Sequence, residues 1–170
     1  MRPTRIRVII MITKIYEARD HSSRPENYPF MIIKDGEVFK ARDHSSQPEN
    51  YPTIIIDGDM IFEARDHSHH SDNYPFLIVN GSEIYKARDH SKHPENYPFM
   101  IIEEGMVFEA RDHSRHPENY PLLIIEDGLI FKARDHSRHP ENYPILIIDG
   151  YYDEAILAAI IWECGLIARY

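Results

Sequence analysis

The stretch ARDHSSQPENYP, Ala41 to Pro52, decides how this chain is organised, because nearly the same twelve residues occur six times. The letters ARDHS begin at residues 18, 41, 64, 87, 110 and 133, a constant period of 23. No insertion interrupts the period, so each unit is expected to make the same contacts with its neighbours. We interpret residues 1–170 as one repeat domain, with an N-terminal cap strand and first unit at 1–17, repeats at 18–150, and a C-terminal helical cap at 151–170.

The residues between two copies of this stretch predict a β-hairpin. In the second unit, an apolar run ending at Ile33 is followed by Asp35-Gly36 and by a second run that begins at Val38. Short runs rich in β-branched and aromatic residues favour strands. Asp or Asn before Gly tolerates the positive φ of a tight hairpin turn. Related dipeptides stand in the other units: Asp57-Gly58, Asn80-Gly81, Glu104-Gly105, Asp127-Gly128 and Asp149-Gly150.

The turn position predicts which side chains share a face. A hairpin that turns at Asp35-Gly36 pairs Ile33 with Val38, and the next pair along is Ile32 with Phe39. We assign the fully apolar face of this register to the core. That face consists of Phe30, Ile32, Phe39 and Ala41, and the opposite face of Met31, Ile33, Val38, Lys40 and Arg42. In the third unit the Asp-Gly turn comes one position earlier, which predicts a shifted register that keeps the same core face.

Charged residues at the end of the second run alternate in sign from unit to unit. They are Glu17, Lys40, Glu63, Lys86, Glu109 and Lys132. Opposite charges on adjacent strands attract, whereas like charges repel. The alternation therefore predicts that each unit lies directly beside the next one along the chain.

The two ends of the repeat region differ from its interior, which predicts an open array. The run Val8 to Ile12 is interpreted as a first strand with no Gly turn after it. Asp153 to Gly165 begins with acidic residues and ends near a Gly, which predicts a helix. Atypical ends cover the exposed apolar surface of linear repeat proteins. The predicted fold class is all-β: a linear array of six 23-residue β-hairpin repeats with a C-terminal capping helix, or alternatively a β-solenoid with one coil per repeat.

The composition is that of a folded globular domain. The 170 residues include 19 basic and 28 acidic ones, which gives a net charge of −9 at pH 7. No basic cluster extends beyond Arg2, Arg5 and Arg7, so nucleic acid binding is not expected. The single cysteine, Cys164, rules out an internal disulfide and favours a reducing compartment. The apolar segment at 155–168 is too short to span a bilayer, so we expect a cytoplasmic protein that does not bind membranes.

The repeated stretch keeps nearly the same sequence in every copy, whereas the apolar runs vary among Ile, Val, Leu, Met and Phe. Turn formation explains its Asp, Asn and Pro residues, and packing over the end of the sheet explains Tyr, but neither explains its Arg, His and Ser residues. Recent duplication or design would also produce similar copies, although the varied runs count against duplication as the only cause. We therefore expect a non-enzymatic scaffold that binds a protein partner and forms a homo-oligomer through the Met31, Ile33 and Val38 face. The predicted partner-binding residues are Arg42, His44, Arg65, His67, Arg88, His90, Arg111, His113, Arg134 and His136.

The histidines suggest two alternative functions. The chain has eleven of them, and two imidazoles three residues apart with a nearby Asp offer ligands to zinc, copper or nickel. A multivalent binder of a divalent metal or small ligand would use His90, His93, His113, His116, His136 and His139. Contiguous Asp-His-Ser also suggests an acid/base enzyme that uses His and Asp of adjacent repeats. No catalytic residue is assigned, because neighbours along a strand point to opposite faces, and no cofactor beyond these metals is expected.

Overall fold

A computed structural model describes residues 11–168 of the chain. These residues form twelve antiparallel strands, closed into a barrel, and one α-helix. The elements are β1 (Ile12–Glu17), β2 (Met31–Lys34), β3 (Glu37–Lys40), β4 (Ile54–Asp57), β5 (Met60–Glu63), β6 (Leu77–Asn80), β7 (Glu83–Lys86), β8 (Met100–Glu103), β9 (Met106–Glu109), β10 (Leu123–Glu126), β11 (Leu129–Lys132), β12 (Leu146–Asp149) and α1 (Glu154–Glu163). The prediction of an all-β protein built from tandem β-hairpins is confirmed. Of the run predicted as the first strand, residues 8–10 lie outside the described residues.

The barrel closes because β1 pairs with β12, so the predicted linear array is wrong. Glu17 lies opposite Leu146, which repeats the register of Lys40 opposite Met31 in the second unit. β1 is thus the second strand of a hairpin whose first strand, β12, comes from the other end of the chain. The atypical ends are the two halves of one hairpin. The alternative of a solenoid is also wrong, because strands pair antiparallel both within and between units.

Two kinds of tight turn connect the strands of the continuous hairpins. Asp35 and Gly36 both have positive φ, 50° and 78°, as a type I′ turn requires. In the third unit the first central residue, Gly58, has φ of 60°, as in a type II′ turn. Ile55 lies opposite Phe62, in step with the equivalent pair of the second unit. The register predicted for the second unit is confirmed, but the predicted shift is wrong, because moving Gly changes the turn type and not the pairing.

Neighbouring hairpins pair two residues out of step, which tilts the strands. Val38 lies opposite Ile33 in its own hairpin and opposite Ile54 in the next one. Ile54 is the repeat equivalent of Met31, two residues before Ile33. This stagger, repeated around twelve strands, gives a tilt of roughly 35° and a barrel radius of roughly 11 Å. The lumen therefore has room for one helix, about 10–12 Å across with its side chains.

Helix α1 fills this lumen. Asp153 caps it by accepting a hydrogen bond from the Ile156 amide at 2.9 Å. Buried residues lie on all sides of the helix between Ala155 and Ile161, and they form one cluster with inward-facing strand residues. A helix that is apolar all round is stable only when it is enclosed. The predicted C-terminal helix is confirmed, but its predicted role as an end cap is wrong.

The strand face predicted to point outward is the inward one. The inward residues of the second unit are Met31, Ile33 and Val38, which pack in the cluster that contains α1. Of the residues assigned to the core face, Phe30 does pack against this cluster. Ile32 and Phe39 lie on the outer wall of the barrel, yet they are 2% and 5% exposed. Strands β2 and β3 are therefore buried on both faces, and their continuous apolar runs give no sign of which face is inward.

Residues of the repeated stretch cover the outer wall. The His69 ring lies 6.2 Å from the Phe39 ring, and the Arg138 guanidinium lies 5.8 Å from the centre of the Phe108 ring. In both contacts a residue from one unit covers the strands of the preceding unit. The homo-oligomer stays a prediction. The Met31, Ile33 and Val38 face, through which it was expected to form, lies inside the barrel, so the subunits would have to contact each other through another surface.

Candidate functional site

The six copies of the repeated stretch lie at one end of the barrel, opposite the Asp-Gly turns. We call each copy a connector loop and the six together the loop ring. Each connector loop is a small hairpin: in the second unit Ala41 bridges Pro48, and the Arg42 amide donates to the Gln47 carbonyl at 2.9 Å. The same bridge and hydrogen bond recur in all six loops. The loop ring therefore presents one local conformation six times.

The arginine of each connector loop holds that loop together. Arg42 donates through Nη2 to Asn50 Oδ1 at 2.6 Å and through Nε to the Pro48 carbonyl at 3.1 Å. The Arg–Asn hydrogen bond recurs in every loop. Ser45 also has a local partner, since its Oγ accepts from the Gln47 amide at 2.8 Å. Five of the predicted partner-binding residues thus have guanidinium groups engaged within their own loops: Arg42, Arg65, Arg88, Arg111 and Arg134.

The histidine of each connector loop joins that loop to the preceding one. His44 has φ of 50°, in the left-handed region that costs a non-glycine residue about 1–2 kcal/mol. Its ring meets Tyr28 edge to face, with centroids 6.2 Å apart. The series closes where His21 meets Tyr143 at 5.9 Å. The six Tyr–His contacts of the loop ring therefore form a complete circle.

The aspartate of each connector loop points into solvent. Asp43 Oδ2 lies 3.5 Å from Nδ1 of His44, and the two side chains are 93% and 83% exposed. The same pair occurs in all six loops. Among the hydrogen bonds of the described residues, none that holds a connector loop together uses this carboxylate. The loop ring therefore carries six exposed Asp–His pairs, in which the histidine contacts a neighbouring Tyr and the carboxylate makes no hydrogen bond that holds the loop.

The candidate metal residues are not gathered into sites with three ligands. The His90 ring contacts Tyr74 with centroids 6.0 Å apart, and the His93 amide donates to Ser91 Oγ at 2.9 Å. The next two loops place their equivalents in the same way: His113, His116, His136 and His139. Within residues 11–168, no group of three or more His, Cys, Asp or Glu side chains is arranged to hold a metal ion. Metal binding at these residues stays a prediction.

Clefts open between adjacent connector loops around the C-terminal end of α1. One of them has a volume of about 1300 Å³ and is lined by the first, second and sixth loops together with Cys164. The alternating charges lie at the inner rim of the loop ring, because Lys40 shares the inward face of Val38. The predicted adjacency of successive units is confirmed. The alternation also continues across the closure, since Lys132 and Glu17 stand on neighbouring hairpins.

Sequence reasoning missed two contributors to this end of the barrel. The asparagines were assigned to turn formation and the tyrosines to packing over the end of the sheet, although their fixed distance from Arg and His in every unit was a signal of pairing. Trp162, at the end of α1, was not considered. Its ring lies 5.3 Å from Phe76 and 5.5 Å from Phe99, so the helix end meets the strand starts at the base of the clefts.

Comparisons with known proteins give no relative from which a function could be inferred. No family model, no curated protein and no solved structure matches this chain. Among the described residues, no helix combines the length and the apolar character needed to cross a membrane.

Proposed function

We propose that the protein is a non-enzymatic scaffold that binds a protein partner through the loop ring. The observation that carries this proposal is the circle of six exposed Asp–His pairs, held in one conformation at one end of the barrel. Loops that hold their shape before binding lose little conformational entropy when a partner docks.

The residue choice in the loops supports a role beyond folding. Asn and Gly adopt a left-handed φ at lower cost than His, yet His stands at this position in all six loops. The neighbouring carboxylate is almost fully exposed and makes no contact that holds the loop. The carboxylate is therefore suited to contacts with another molecule, and the exposed imidazole that packs against Tyr28 stands beside it.

The sixfold arrangement favours a multivalent partner. A contact with one exposed Asp–His pair is weak, because exposed ionic contacts are worth roughly 0–1 kcal/mol each. Several equivalent contacts on one rigid ring add through effective concentration, without any strong single site. A partner with repeated basic groups, or with rotational symmetry of its own, would use this arrangement best.

The test compares two variants with the same change in net charge. The first replaces the aspartates of the loop ring by asparagine: Asp20, Asp43, Asp66, Asp89, Asp112 and Asp135. The control neutralises six exposed carboxylates at the opposite end of the barrel: Asp35, Asp57, Glu103, Glu126, Asp127 and Asp149. Each protein is immobilised, incubated with extract of its source organism, and its bound proteins are quantified by mass spectrometry.

We expect at least one protein to be retained by the wild type and by the control, and to be lost from the loop-ring variant. Far-ultraviolet circular dichroism must show the same fold for all three. Retention of the same proteins by all three would overturn the proposal, as would loss from both variants, because then total charge and not the loop ring would govern binding.

A further inference from the structure

One cleft of the loop ring combines an acidic lining with aromatic residues. It lies between the second and third connector loops, has a volume of about 630 Å³, and reaches the C-terminal end of α1. We call it the Trp162 cleft, because Trp162 forms part of its wall. It belongs to the same ring as the proposed partner surface, but it is a distinct concave space of small-molecule size.

Four carboxylates line the Trp162 cleft: Glu49, Glu63, Asp66 and Glu163. Among the described residues that line it, Arg65 is the one with a permanent positive charge, and its Nη2 donates to Asn73 Oδ1 at 2.5 Å. Among the ion pairs of the described residues, none involves Glu49, Glu63 or Glu163. These carboxylates therefore repel one another, and a bound cation would relieve that repulsion.

The position of Glu163 at the end of α1 adds to the negative charge of the cleft. It is the last residue of α1, and no basic residue stands in the last turn of the helix. A helix C-terminus carries partial negative charge, so a carboxylate there is destabilising and a cation nearby is stabilising. The helix dipole and the carboxylates thus favour positive charge in the same cleft.

Aromatic rings supply the rest of the wall. Trp162, Phe76 and Tyr51 all line the cleft, and the first two pack with centroids 5.3 Å apart. The Tyr51 ring also contacts the rings of His67 and His69, with centroids 5.9 and 5.5 Å away. Aromatic faces bind organic cations, above all alkylated ammonium groups, through their quadrupole.

The neighbouring cleft has similar aromatic residues but a different balance of charges. The cleft between the third and fourth loops also contains Trp162 and Phe76, but it is lined by Lys86 and Arg88 as well. The residue equivalent to Lys86 in the Trp162 cleft is Glu63, because of the alternating signs around the rim. This repeat position and Glu163, which lines only the Trp162 cleft of the two, make that cleft acidic and its neighbour mixed in charge.

We infer that the Trp162 cleft binds a small organic cation, of the alkylammonium or quaternary ammonium class. The inference goes beyond the proposed function, because it concerns one small ligand in one cleft and not a macromolecule on the whole loop ring. The carboxylates attract the ammonium charge, and the aromatic rings contact its alkyl groups and select against hydrated metal ions.

The chain offers a direct readout, since Trp162 is its one tryptophan. Trp162 fluorescence is titrated with choline at constant ionic strength, and with 3,3-dimethyl-1-butanol, the neutral carbon analogue of choline. We expect a saturable change with choline, at a Kd in the millimolar range typical of a small partly exposed site, on the order of 1–10 mM. We expect no saturable change with the neutral analogue at the same concentrations.

Matched variants locate the site. Glu63→Gln and Glu163→Gln each remove one carboxylate of the Trp162 cleft and should weaken choline binding about two- to fivefold. Glu109→Gln changes the same repeat position in other clefts and should leave the Kd unchanged. Equal responses to choline and its neutral analogue, no saturation, or equal effects of Glu63→Gln and Glu109→Gln would each overturn the inference. None of these outcomes bears on the partner-binding test, which uses different residues and a different readout.

Discussion

Replacing Ile160 by alanine should destabilise the protein strongly, because Ile160 lies on the helix enclosed by the barrel. Its side chain is 0% exposed. The three lost carbons account for roughly 2.4 kcal/mol at 0.8 kcal/mol per buried carbon, and the cavity left behind raises the expected loss to about 4 kcal/mol. The upper part of the usual range applies here, since a ring of twelve hydrogen-bonded strands cannot contract around the missing atoms.

The control for this change is Ile156→Ala on the same helix. Ile156 is only partly buried, so its loss should cost about 1–2 kcal/mol. Both changes raise the helix propensity of α1 by the same amount, so that contribution cancels in the comparison. Urea unfolding is followed by Trp162 fluorescence and by far-ultraviolet circular dichroism.

A thermal scan should show the Ile160→Ala protein melting roughly 8–16 °C below the wild type, from the 2–4 °C per kcal/mol expected at this chain length. Equal losses for Ile160→Ala and Ile156→Ala, or a loss below about 1 kcal/mol for the first, would refute the enclosure of α1. Either of these small or equal losses in stability is what we expect if α1 only covers one end of an open array.

Three further predictions test separate features of the molecule. Burial, with a hydrogen bond to Glu83, raises the pKa of the Tyr85 phenol above its ordinary 10.0; the stabilisation is therefore complete below pH 10 and lost as pH rises through the folded-state pKa. Unfolding midpoints measured from pH 8 to 11 should fall less steeply for Tyr85→Phe than for the wild type. Thr13 is 2% exposed, and its Oγ1 donates to the Tyr151 carbonyl at 2.5 Å, so Thr13→Val should cost about 1–2 kcal/mol in urea unfolding. The metal hypothesis predicts bound metal in a native mass spectrum of protein purified without a chelating resin, and its loss when six histidines are replaced by Gln: His90, His93, His113, His116, His136 and His139. The same spectrum tests self-association, because a metal-free oligomer would support it and a metal-free monomer would contradict both hypotheses.

The hairpins were predictable from sequence because their determinants are local. Asp35-Gly36 fixes a turn, and the turn fixes the pairing of Ile33 with Val38. Ring closure depends on residues from opposite ends of the chain, so no local pattern reports it. Two signals were nevertheless present: an even number of alternating charges, and a seventh half-hairpin that matches the half missing at the start.

The inward face was predicted incorrectly for a physical reason. Alternating patterns identify a buried face only when the other face meets water. Here α1 covers Val38 from inside, while connector loops cover Phe39 from outside. The sequence contains apolar residues for both faces and no contrast between them.

The loop ring was predictable as a repeated surface but not in its chemistry. The nearly identical sequences of the connector loops marked them as a candidate site. Which of their side chains are free depends on hydrogen bonds such as Arg42 to Asn50, across eight residues of a loop with no regular period. The Trp162 cleft joins residues from two loops and the helix, so it exists only in the folded barrel.

The hairpin shared between β12 and β1 sets the order in which the molecule can be completed on the ribosome. β1 is made first, but one of its two partners is the last strand to be synthesised. The intervening hairpins form from neighbouring residues, whereas closure joins distant ones, which is the slow kind of step in folding. Until β12 emerges, the nascent sheet has two open edges that can pair with other chains. Helix α1 follows β12, so an interrupted translation product would lack both the closing strand and the filling of the lumen, and such fragments should depend on chaperones far more than the finished protein.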